Sequence, residues 1–276
     1  MNIIGIGQAG CQITKLFENL EQYAPHYVDT HDDGYSNFFK VKKQDSHEEY
    51  EKKFRKINFN LDDEDVTIIM SGTGNVSGCS LRILEQLKNK RVTVIYIKPD
   101  YSHLSQAQKI KHKITFGILQ EYARSNLLNM LYVISNKEVE SALEEIPLRD
   151  YWQSINNVIF STYHMINVFR NTEPILTTCA PLAPTTRIAT FGVVNYHTNK
   201  EKLFYDLQCP RNKNYFFGIN DLTLEQDKEI LHKIRSFVGE KSNEKVDAGF
   251  AIYPTNYERN YVYSVHCSTL VQEQEI

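Results

Sequence analysis

The sequence predicts an α/β protein, with a parallel sheet in its first half, one long central helix and a smaller α+β region at its end. Three observations support this fold class. Apolar runs rich in β-branched residues alternate with helical patterns over residues 1–150, an unbroken helical pattern covers 151–172, and several strand patterns surround one helix in 173–276. Buried strands that alternate with helices are typical of parallel sheets covered on both faces.

The elements of the first half follow from the hydrophobic pattern. Five short apolar runs predict strands, at residues 3–6, 26–29, 66–70, 92–97 and 130–134. Helical spacing predicts helices between them, at residues 10–20, 42–56, 105–124 and in a segment that runs through Leu84 and Leu87. Because residues 42–56 are highly charged, we expect that helix to be solvated.

The second half opens with a long helix and then changes character. Apolar side chains recur at helical spacing in residues 151–170, and Pro174, Pro181 and Pro184 then end the helix and predict a linker. Thr223 and Gln226 form a capping-box pattern at the start of a helix predicted to reach Phe237. Strands are predicted around it, at residues 187–197, 203–207, 246–253 and 260–268.

The composition excludes several classes of protein. A formal net charge of −3 gives no reason to expect binding to nucleic acid or to an anionic membrane. No apolar run approaches the roughly 18 residues of a membrane span, and no secretion signal is recognisable. The five cysteines stand singly and the histidines show no metal-ligand spacing. We therefore expect reduced thiols, no catalytic metal and a cytoplasmic location.

Two short segments hold six of the 12 glycines. The first glycine loop, residues 5–10, is a GxGxxG pattern between a predicted strand and a predicted helix. The second glycine loop, residues 71–80, also joins a strand to a helix. A glycine-rich backbone approaches a phosphate closely, and a helix N-terminus offers free N–H groups to it. Both loops fall at the sheet edge where open α/β proteins bind ligands, so we expect a phosphate-bearing ligand there.

One interpretation of the first glycine loop is a dinucleotide-binding fold. Asp29 lies 19 residues beyond Gly10, where an acid that binds ribose is expected. This hypothesis of a NAD-dependent enzyme leaves the second glycine loop unexplained, and no catalytic residues for it stand out in the last third of the chain. Asp29 and Asp32 have two open interpretations, since such acids either hold a metal ion or cap the turn before Gly34.

A resemblance to a known family covers essentially the whole chain. Residues 7–13 resemble the first phosphate loop of tubulin, and residues 72–78 resemble the second phosphate loop of the tubulin/FtsZ superfamily in degraded form. Later segments resemble FtsZ in order: Lys98-Pro99 at a strand end, Asn136 after the next strand and Asn156 near the start of the long helix. The resemblance implies a tubulin/FtsZ-like fold, with a nucleotide-binding domain, a central helix and a smaller C-terminal domain.

The resemblance also implies a guanine-nucleotide site that takes GTP or GDP with magnesium. Its matching positions are Gly7, Gln8, Ala9, Gly10, Cys11 and Gln12 in the first phosphate loop, Gly72, Gly74, Asn75, Ser77 and Gly78 in the second, Asn136 and Asn156 at the guanine, and Asp29 beside the nucleotide and its ion. Gln8 falls where tubulin has a residue near the magnesium. Subunits of the family stack head to tail, which generates filaments or rings.

Parts of the family's phosphate and ribose sites are missing. The interval 46–65, where a glycine-rich γ-phosphate loop is expected, is charged and contains no glycine. The acid and the arginine that hold the ribose have no match after Lys98-Pro99. In the second glycine loop Val76 replaces a glycine, and a β-branched residue does not readily adopt a positive φ.

The acids that complete hydrolysis on a neighbouring subunit are also missing. By the resemblance they fall on Leu176, Thr178 and Pro181, and Glu173 is the only acid nearby. Without a carboxylate to orient the attacking water, hydrolysis falls by orders of magnitude.

The resemblance therefore implies a self-associating structural or scaffolding subunit with weak or no GTP hydrolysis, whose guanine-nucleotide site is either occupied or vestigial and empty. The alternative is an active filament-forming GTPase of the cytoskeletal type, serving cell division or the positioning of DNA or phage, with Glu173 as its acid. The short tails suit a phage- or plasmid-encoded protein in the host cytoplasm or the phage particle. Self-association is the partnership that the resemblance implies, and further protein partners are a second expectation.

Overall fold

The computed structural model describes residues 1–143 and 147–272. Strands and helices follow one another through the first half. The strands are β1 (Asn2–Ile6), β2 (Ala24–Asp29), β3 (Phe38–Lys40), β4 (Asp65–Ser71), β5 (Arg91–Lys98) and β6 (Met130–Ser135). The helices are α1 (Gly7–Lys15), α2 (His47–Lys53), α3 (Ser80–Gln86), α4 (Gln106–Arg124) and α5 (Asn136–Ala142). Short 3₁₀ turns lie at Asn75–Cys79, Tyr101–His103 and Leu148–Asp150.

The second half begins with the long helix α6 (Tyr151–Arg170). Its strands are β7 (Leu176–Thr177), β8 (Ile188–Val194), β9 (Glu201–Leu203), β10 (Pro210–Asn220), β11 (Asp247–Thr255) and β12 (Tyr261–Ser268). Two further helices, α7 (Asp221–Gln226) and α8 (Ile230–Lys241), lie between β10 and β11. The predicted C-terminal region, 173–276, ends in residues 273–276, which lie outside the described residues, and its domain bounds stay a prediction.

One sheet runs through the described residues in the order β3-β2-β1-β4-β5-β6-β8-β12-β10-β11-β7, with β9 paired to β8. The first six strands in this order, β3-β2-β1-β4-β5-β6, are all parallel to one another. β8 joins them through two residue pairs with β6, Leu131 with Ile188 and Tyr132 with Ala189. Because parallel strands point the same way, the carboxyl ends of β1 and β4 meet at one edge, where both glycine loops begin.

Both faces of the parallel part are covered, as predicted. Alternate residues of β1, β4 and β5 point to opposite faces. One set packs with α3 and α4, and it includes Ile4, Ile68 and Val94. The other packs with α1 and α6, and it includes Ile3, Ile69 and Ile95. The second cluster continues into the antiparallel part through Phe191, Phe216 and Val265, so α6 is packed against both parts of the sheet.

The five strands predicted in the first half and the long helix are confirmed, with ends that differ by one or two residues. The solvated helix predicted at 42–56 is wrong in length and setting. α2 spans only His47–Lys53, and Tyr50 is 3% exposed because the helix packs over the second glycine loop. The single helix predicted from Thr223 to Phe237 is two helices, since Asn220 rather than Thr223 caps α7 and the chain turns before Ile230.

Strand patterns in the last third were less informative. Residues 204–207, predicted to form a strand, lie beyond β9, which ends at Leu203. The 11-residue strand β10 and the short β7 were not predicted. The first half of β10 is polar, and its partners β11 and β12 lie far along the chain, so no local alternation marks it. None of the helices in the described part of the chain is long and apolar enough to cross a membrane.

Candidate functional site

The first glycine loop passes directly from β1 into α1. Gly7, the first residue of α1, has φ +71°, a conformation that L side chains rarely adopt. A β-carbon on Gly10 would collide with the carbonyl oxygen of Ile69, because α1 packs straight onto the backbone of β4. The N-terminus of α1 is therefore held at the carboxyl edge of the sheet, where its unpaired N–H groups and positive dipole end suit an anion.

The side chains that follow divide between solvent and core. Gln8 and Gln12 are exposed, and Ala9 is half-buried against the cluster under α6. Cys11 turns inward, where its Sγ lies 3.5 Å from the carbonyl oxygen of Gly5. Burial, with Asp29 nearby, raises the pKa of the Cys11 thiol to about 12. The thiol is a neutral packing group, and Cys11 as a whole is buried under the loop.

The acids after β2 form turn contacts. Asp29 Oδ1 accepts hydrogen bonds from the N–H and hydroxyl of Thr30, and burial raises the pKa of the Asp29 carboxyl. Asp32 Oδ1 accepts bonds from the N–H groups of Gly34 and Tyr35, at 2.9 and 3.1 Å. Of the two interpretations of Asp32, the structure shows the turn cap. Within residues 1–143 and 147–272, no three His, Cys, Asp or Glu residues are grouped to hold a metal ion.

The second glycine loop winds into a 3₁₀ turn after β4. Val76 does not have a positive φ in this turn. The strain expected for a β-branched residue in that conformation therefore does not arise. The Val76 side chain is buried, and a β-carbon on Gly7 would lie 3.8 Å from Val76 Cβ, which places the two glycine loops side by side. Ser77 donates from its hydroxyl and its N–H to the carbonyl oxygen of Gly74, which closes the turn.

The other glycines of this loop are surrounded by packing. A β-carbon on Gly78 would collide with the carbonyl oxygen of His47, since α2 lies directly on the turn. A β-carbon on Gly72 would collide with the hydroxyl of Tyr96, which lies 2.6 Å from His112 Nδ1. Burial, assisted by the charge of Lys98, lowers the pKa of His112 to about 4. Only Gly74 is exposed with open space around it.

One side chain that sequence reasoning missed reaches this loop from α4. Lys111 Nζ donates to Asn75 Oδ1 at 2.5 Å. The two residues are 36 positions apart, so no local spacing relates them. The one available signal was the course of α4, which follows β5 and therefore starts at the carboxyl edge of the sheet.

Asn136 and Asn156 lie on two helices that pack together. Asn136 is the first residue of α5, directly after β6, and Asn156 lies in the second turn of α6. The helices are joined through the contact of Tyr151 with Glu140, a hydrogen bond of 2.8 Å. Both asparagines are half-buried, and neither amide makes a hydrogen bond to the described residues. Each therefore keeps a donor and an acceptor for a base edge.

The segment after α6 begins near the amino ends of the parallel strands and then forms the outermost strand of the sheet. Leu176 and Thr177 form β7, which pairs with β11, and Thr178 exchanges two hydrogen bonds with Phe250. The positions expected to carry catalytic acids thus belong to an edge strand and its extension. Glu173 is exposed. It follows Asn171 and Thr172, which line a cavity of about 460 Å³ with Met1 and Asp65 at the amino ends of β1 and β4.

Comparison with known proteins finds likeness in structure alone. A scan against protein-family models gives no match, and a search of curated proteins gives none either. Among solved structures, a GTPγS-form protofilament of TubZ from Bacillus thuringiensis serovar israelensis is similar with TM-score 0.68 and 14% identity, covering 96% of this chain and 86% of that one. An FtsZ dimer from M. jannaschii is similar with TM-score 0.66 and 12% identity, covering 97% and 87%.

A third similar structure is a TubZ of type III plasmid segregation, with TM-score 0.65 and 15% identity, covering 96% of this chain and 86% of that one. The likeness extends over nearly the whole length of each protein, while the identities are low enough to mark strong divergence. The mostly parallel sheet with its helices agrees with these structures. The chain therefore has the tubulin/FtsZ-like fold.

Proposed function

We propose that this protein binds a guanine nucleotide between the two glycine loops and assembles head to tail as a structural subunit, with weak or no GTP hydrolysis. One observation carries the proposal: the N-terminus of α1, entered through Gly7 at φ +71°, lies beside the second glycine loop at the carboxyl edge of the sheet. A helix N-terminus at this position supports the proposal, because open α/β sheets bind anionic ligands at this edge.

The residues around that edge fit a nucleotide. The first N–H groups of α1 suit the phosphates, and the exposed Gln8 stands where the resemblance expects a residue near magnesium. The unpaired amides of Asn136 and Asn156 suit the edge of a guanine, which presents both donors and acceptors. These are the positions of the proposed site, together with Gly7, Gly10, Asn75 and Ser77.

Head-to-tail assembly is supported by the different features that lie at the carboxyl ends and at the amino ends of the parallel strands. In one chain the glycine loops lie at the carboxyl edge and the segment after α6 lies near the amino ends of β1 and β4. A contact between unlike edges of two copies is heterologous and repeats without limit unless it closes into a ring. Several similar structures are themselves assemblies, described as a TubZ protofilament, a two-stranded TubZ filament and an FtsZ dimer.

Weak hydrolysis follows from what the segment after α6 presents. Leu176 and Thr178 are engaged with β11 and carry no carboxylate. Glu173 is the exception that favours the second candidate, an active filament-forming GTPase, because it is exposed near the edge that would face the neighbouring subunit. Of the other predictions, NAD binding finds no added support, and a phage or plasmid origin and a cytoplasmic location stay predictions.

The test is to identify and follow the nucleotide. Protein is denatured, and the released nucleotide is separated by chromatography; phosphate release from added GTP is then measured at rising protein concentration. We expect GTP or GDP in the extract and no turnover that rises with concentration. Turnover that rises with protein concentration and is abolished by Glu173→Gln would establish the active GTPase instead, and NAD in the extract would overturn the nucleotide assignment.

A matched pair of variants tests the guanine contact. Asn156→Ala removes an amide proposed to read the base, and Asn157→Ala removes the exposed amide of the next residue on α6. We expect Asn156→Ala to weaken GTP binding about tenfold, the effect of one lost hydrogen bond that leaves its partner unpaired. Asn157→Ala should bind within about twofold of wild type, and equal losses in both variants would contradict the assignment.

A further inference from the structure

We infer that Lys111 of α4 and His47 of α2 form a subsite for the terminal phosphate of a nucleoside triphosphate, beside the second glycine loop. The inference rests on the proposed nucleotide site and adds residues that the resemblance does not supply. The family's γ-phosphate loop has no counterpart in residues 46–65, which contain no glycine. A side-chain cation in its place would offer a terminal phosphate a charge-assisted hydrogen bond.

Lys111 places an ammonium group on the second glycine loop. The residue is half-buried, and its Nζ donates to Asn75 Oδ1 at 2.5 Å. Asn75 precedes Val76, and a β-carbon on Gly7 would lie 3.8 Å from Val76 Cβ. The ammonium is therefore bonded to the residue that precedes Val76, and Val76 is the residue that packs beside Gly7 at the start of α1.

His47 approaches the same loop from α2. Its carbonyl oxygen lies against Gly78, so the start of α2 is fixed on the turn. Its Nε2 is buried and has no hydrogen-bond partner in the described part of the chain. A buried polar atom that stays unpaired is destabilising, and a phosphate oxygen would pair with this one.

The positive charge of Lys111 affects the protonation of His47. Burial, and then the nearby charge of Lys111, lower the pKa of His47, so its imidazole is neutral at neutral pH. A neutral imidazole carries one N–H, and Nε2–H would donate to a phosphate oxygen. The exposed carboxylate of Glu48 also interacts electrostatically with Lys111, so a phosphate would compete with it for the ammonium.

A terminal phosphate is a better partner for Lys111 than the one it has. Asn75 offers a neutral amide oxygen, whereas a phosphate offers charged oxygens and a charge-assisted hydrogen bond. The neighbouring helix N-terminus already suits the phosphates common to GDP and GTP. Lys111 and His47 would therefore contact the γ-phosphate, which GTP has and GDP lacks. We expect the protein to bind GTP more tightly than GDP.

The experiment compares Lys111→Gln with Lys113→Gln, which removes the same charge from an exposed residue two positions along the same helix. Dissociation constants of fluorescently labelled GTP and GDP are measured for each purified chain at one salt concentration. We expect Lys111→Gln to weaken GTP about tenfold and GDP less than about threefold. Lys113→Gln should keep the GTP/GDP ratio of wild type.

A second variant guards against misfolding as the cause. His47→Leu removes the Nε2–H donor and keeps a side chain of similar size, and it should reduce GTP affinity more than GDP affinity while the thermal unfolding midpoint stays near that of wild type. If wild type binds guanine nucleotides and Lys111→Gln weakens GTP and GDP equally or not at all, the subsite is wrong and the proposed function stands. If wild type binds neither nucleotide, the proposed function fails and this inference fails with it.

Discussion

The first and second glycine loops lie side by side, but they use their glycines for different purposes. In the first, Gly7 adopts a positive φ, and Gly10 lets α1 start against the backbone of β4. In the second, Gly78 makes room for α2, and Val76 fills the space next to Gly7. The first loop therefore keeps a helix N-terminus open to the edge of the sheet, while the second is largely a packing joint.

The difference teaches how far a glycine pattern indicates a ligand. A glycine at positive φ before a helix orients backbone N–H groups, and this arrangement suits the binding of an anion. A glycine that is required because a neighbouring helix packs against it is explained by packing alone and does not indicate a ligand. The nucleotide proposal consequently rests mainly on the first loop, and at the second loop it depends on Lys111 and Asn75 rather than on glycines.

The largest expected effect is on folding, from Gly10→Ala. The added β-carbon would collide with the carbonyl oxygen of Ile69, so α1 must move away from β4. We expect the free energy of unfolding to fall by about 3 kcal/mol, measured by urea denaturation. A fall below about 0.5 kcal/mol would contradict the close approach of α1 to β4, because surface substitutions produce changes of that size.

A change of pH should affect the packing under the second glycine loop. The pKa of His112 is lowered from 6.5 to about 4, so the folded state favours the neutral imidazole. Its stabilisation is complete above pH 6.5 and is lost as the pH falls from 6.5 towards 4. We expect the free energy of unfolding to fall by about 2 kcal/mol between pH 7 and pH 5 through this group.

The His112 contribution is isolated by a variant. His26, His47 and His164 also have lowered pKa values because of burial and add to the same slope. We therefore compare denaturation of wild type and His112→Gln at both pH values, and expect the variant to lose less stability on acidification. Equal losses in the two proteins would show that His112 is not held neutral by the fold.

Gly7→Ala should separate binding from stability at the first loop. An alanine at φ +71° is strained by about 1–2 kcal/mol, and relief of that strain would turn the first N–H groups of α1. We expect a modest loss of stability in urea denaturation and a loss of GTP affinity of more than about tenfold. Unchanged affinity in a folded variant would place the phosphates elsewhere.

The smallest effect is expected at Gly74 of the second loop. Gly74 has φ −66° and nothing within 4 Å of a β-carbon, so alanine fits without strain. We expect Gly74→Ala to change the free energy of unfolding by less than about 1 kcal/mol, in the stabilising direction, because alanine restricts the unfolded chain. A loss of stability as large as that of Gly10→Ala would erase the distinction between the two loops.

Much of the first half was predictable from local pattern. The strands were found because each is a continuous apolar run between helices, which is the signature of a strand buried on both faces. The first glycine loop was found because its spacing is set by one short turn. The second half was harder to predict: β10 begins with polar residues and takes its stability from β11 and β12, which lie downstream in the chain.

The candidate site shows the same division. The order of the glycines in the first loop determines the α1 terminus, because positive φ and close approach are properties of single residues. The inward turn of Cys11, the capping role of Asp32 and the 3₁₀ course of Val76 depend on neighbours from other elements. Lys111 and Asn75 meet only after α4 has packed across the sheet.

The sequence by itself determined the α/β class, the parallel half, the long helix and the position of the first glycine loop, because short-range periodicity and backbone preference encode them. Only the tertiary structure decided which glycines serve packing, which side chains surround the second loop and that the segment after α6 is an edge strand. These features depend on contacts between residues far apart in the chain, and such contacts leave no periodic trace along it.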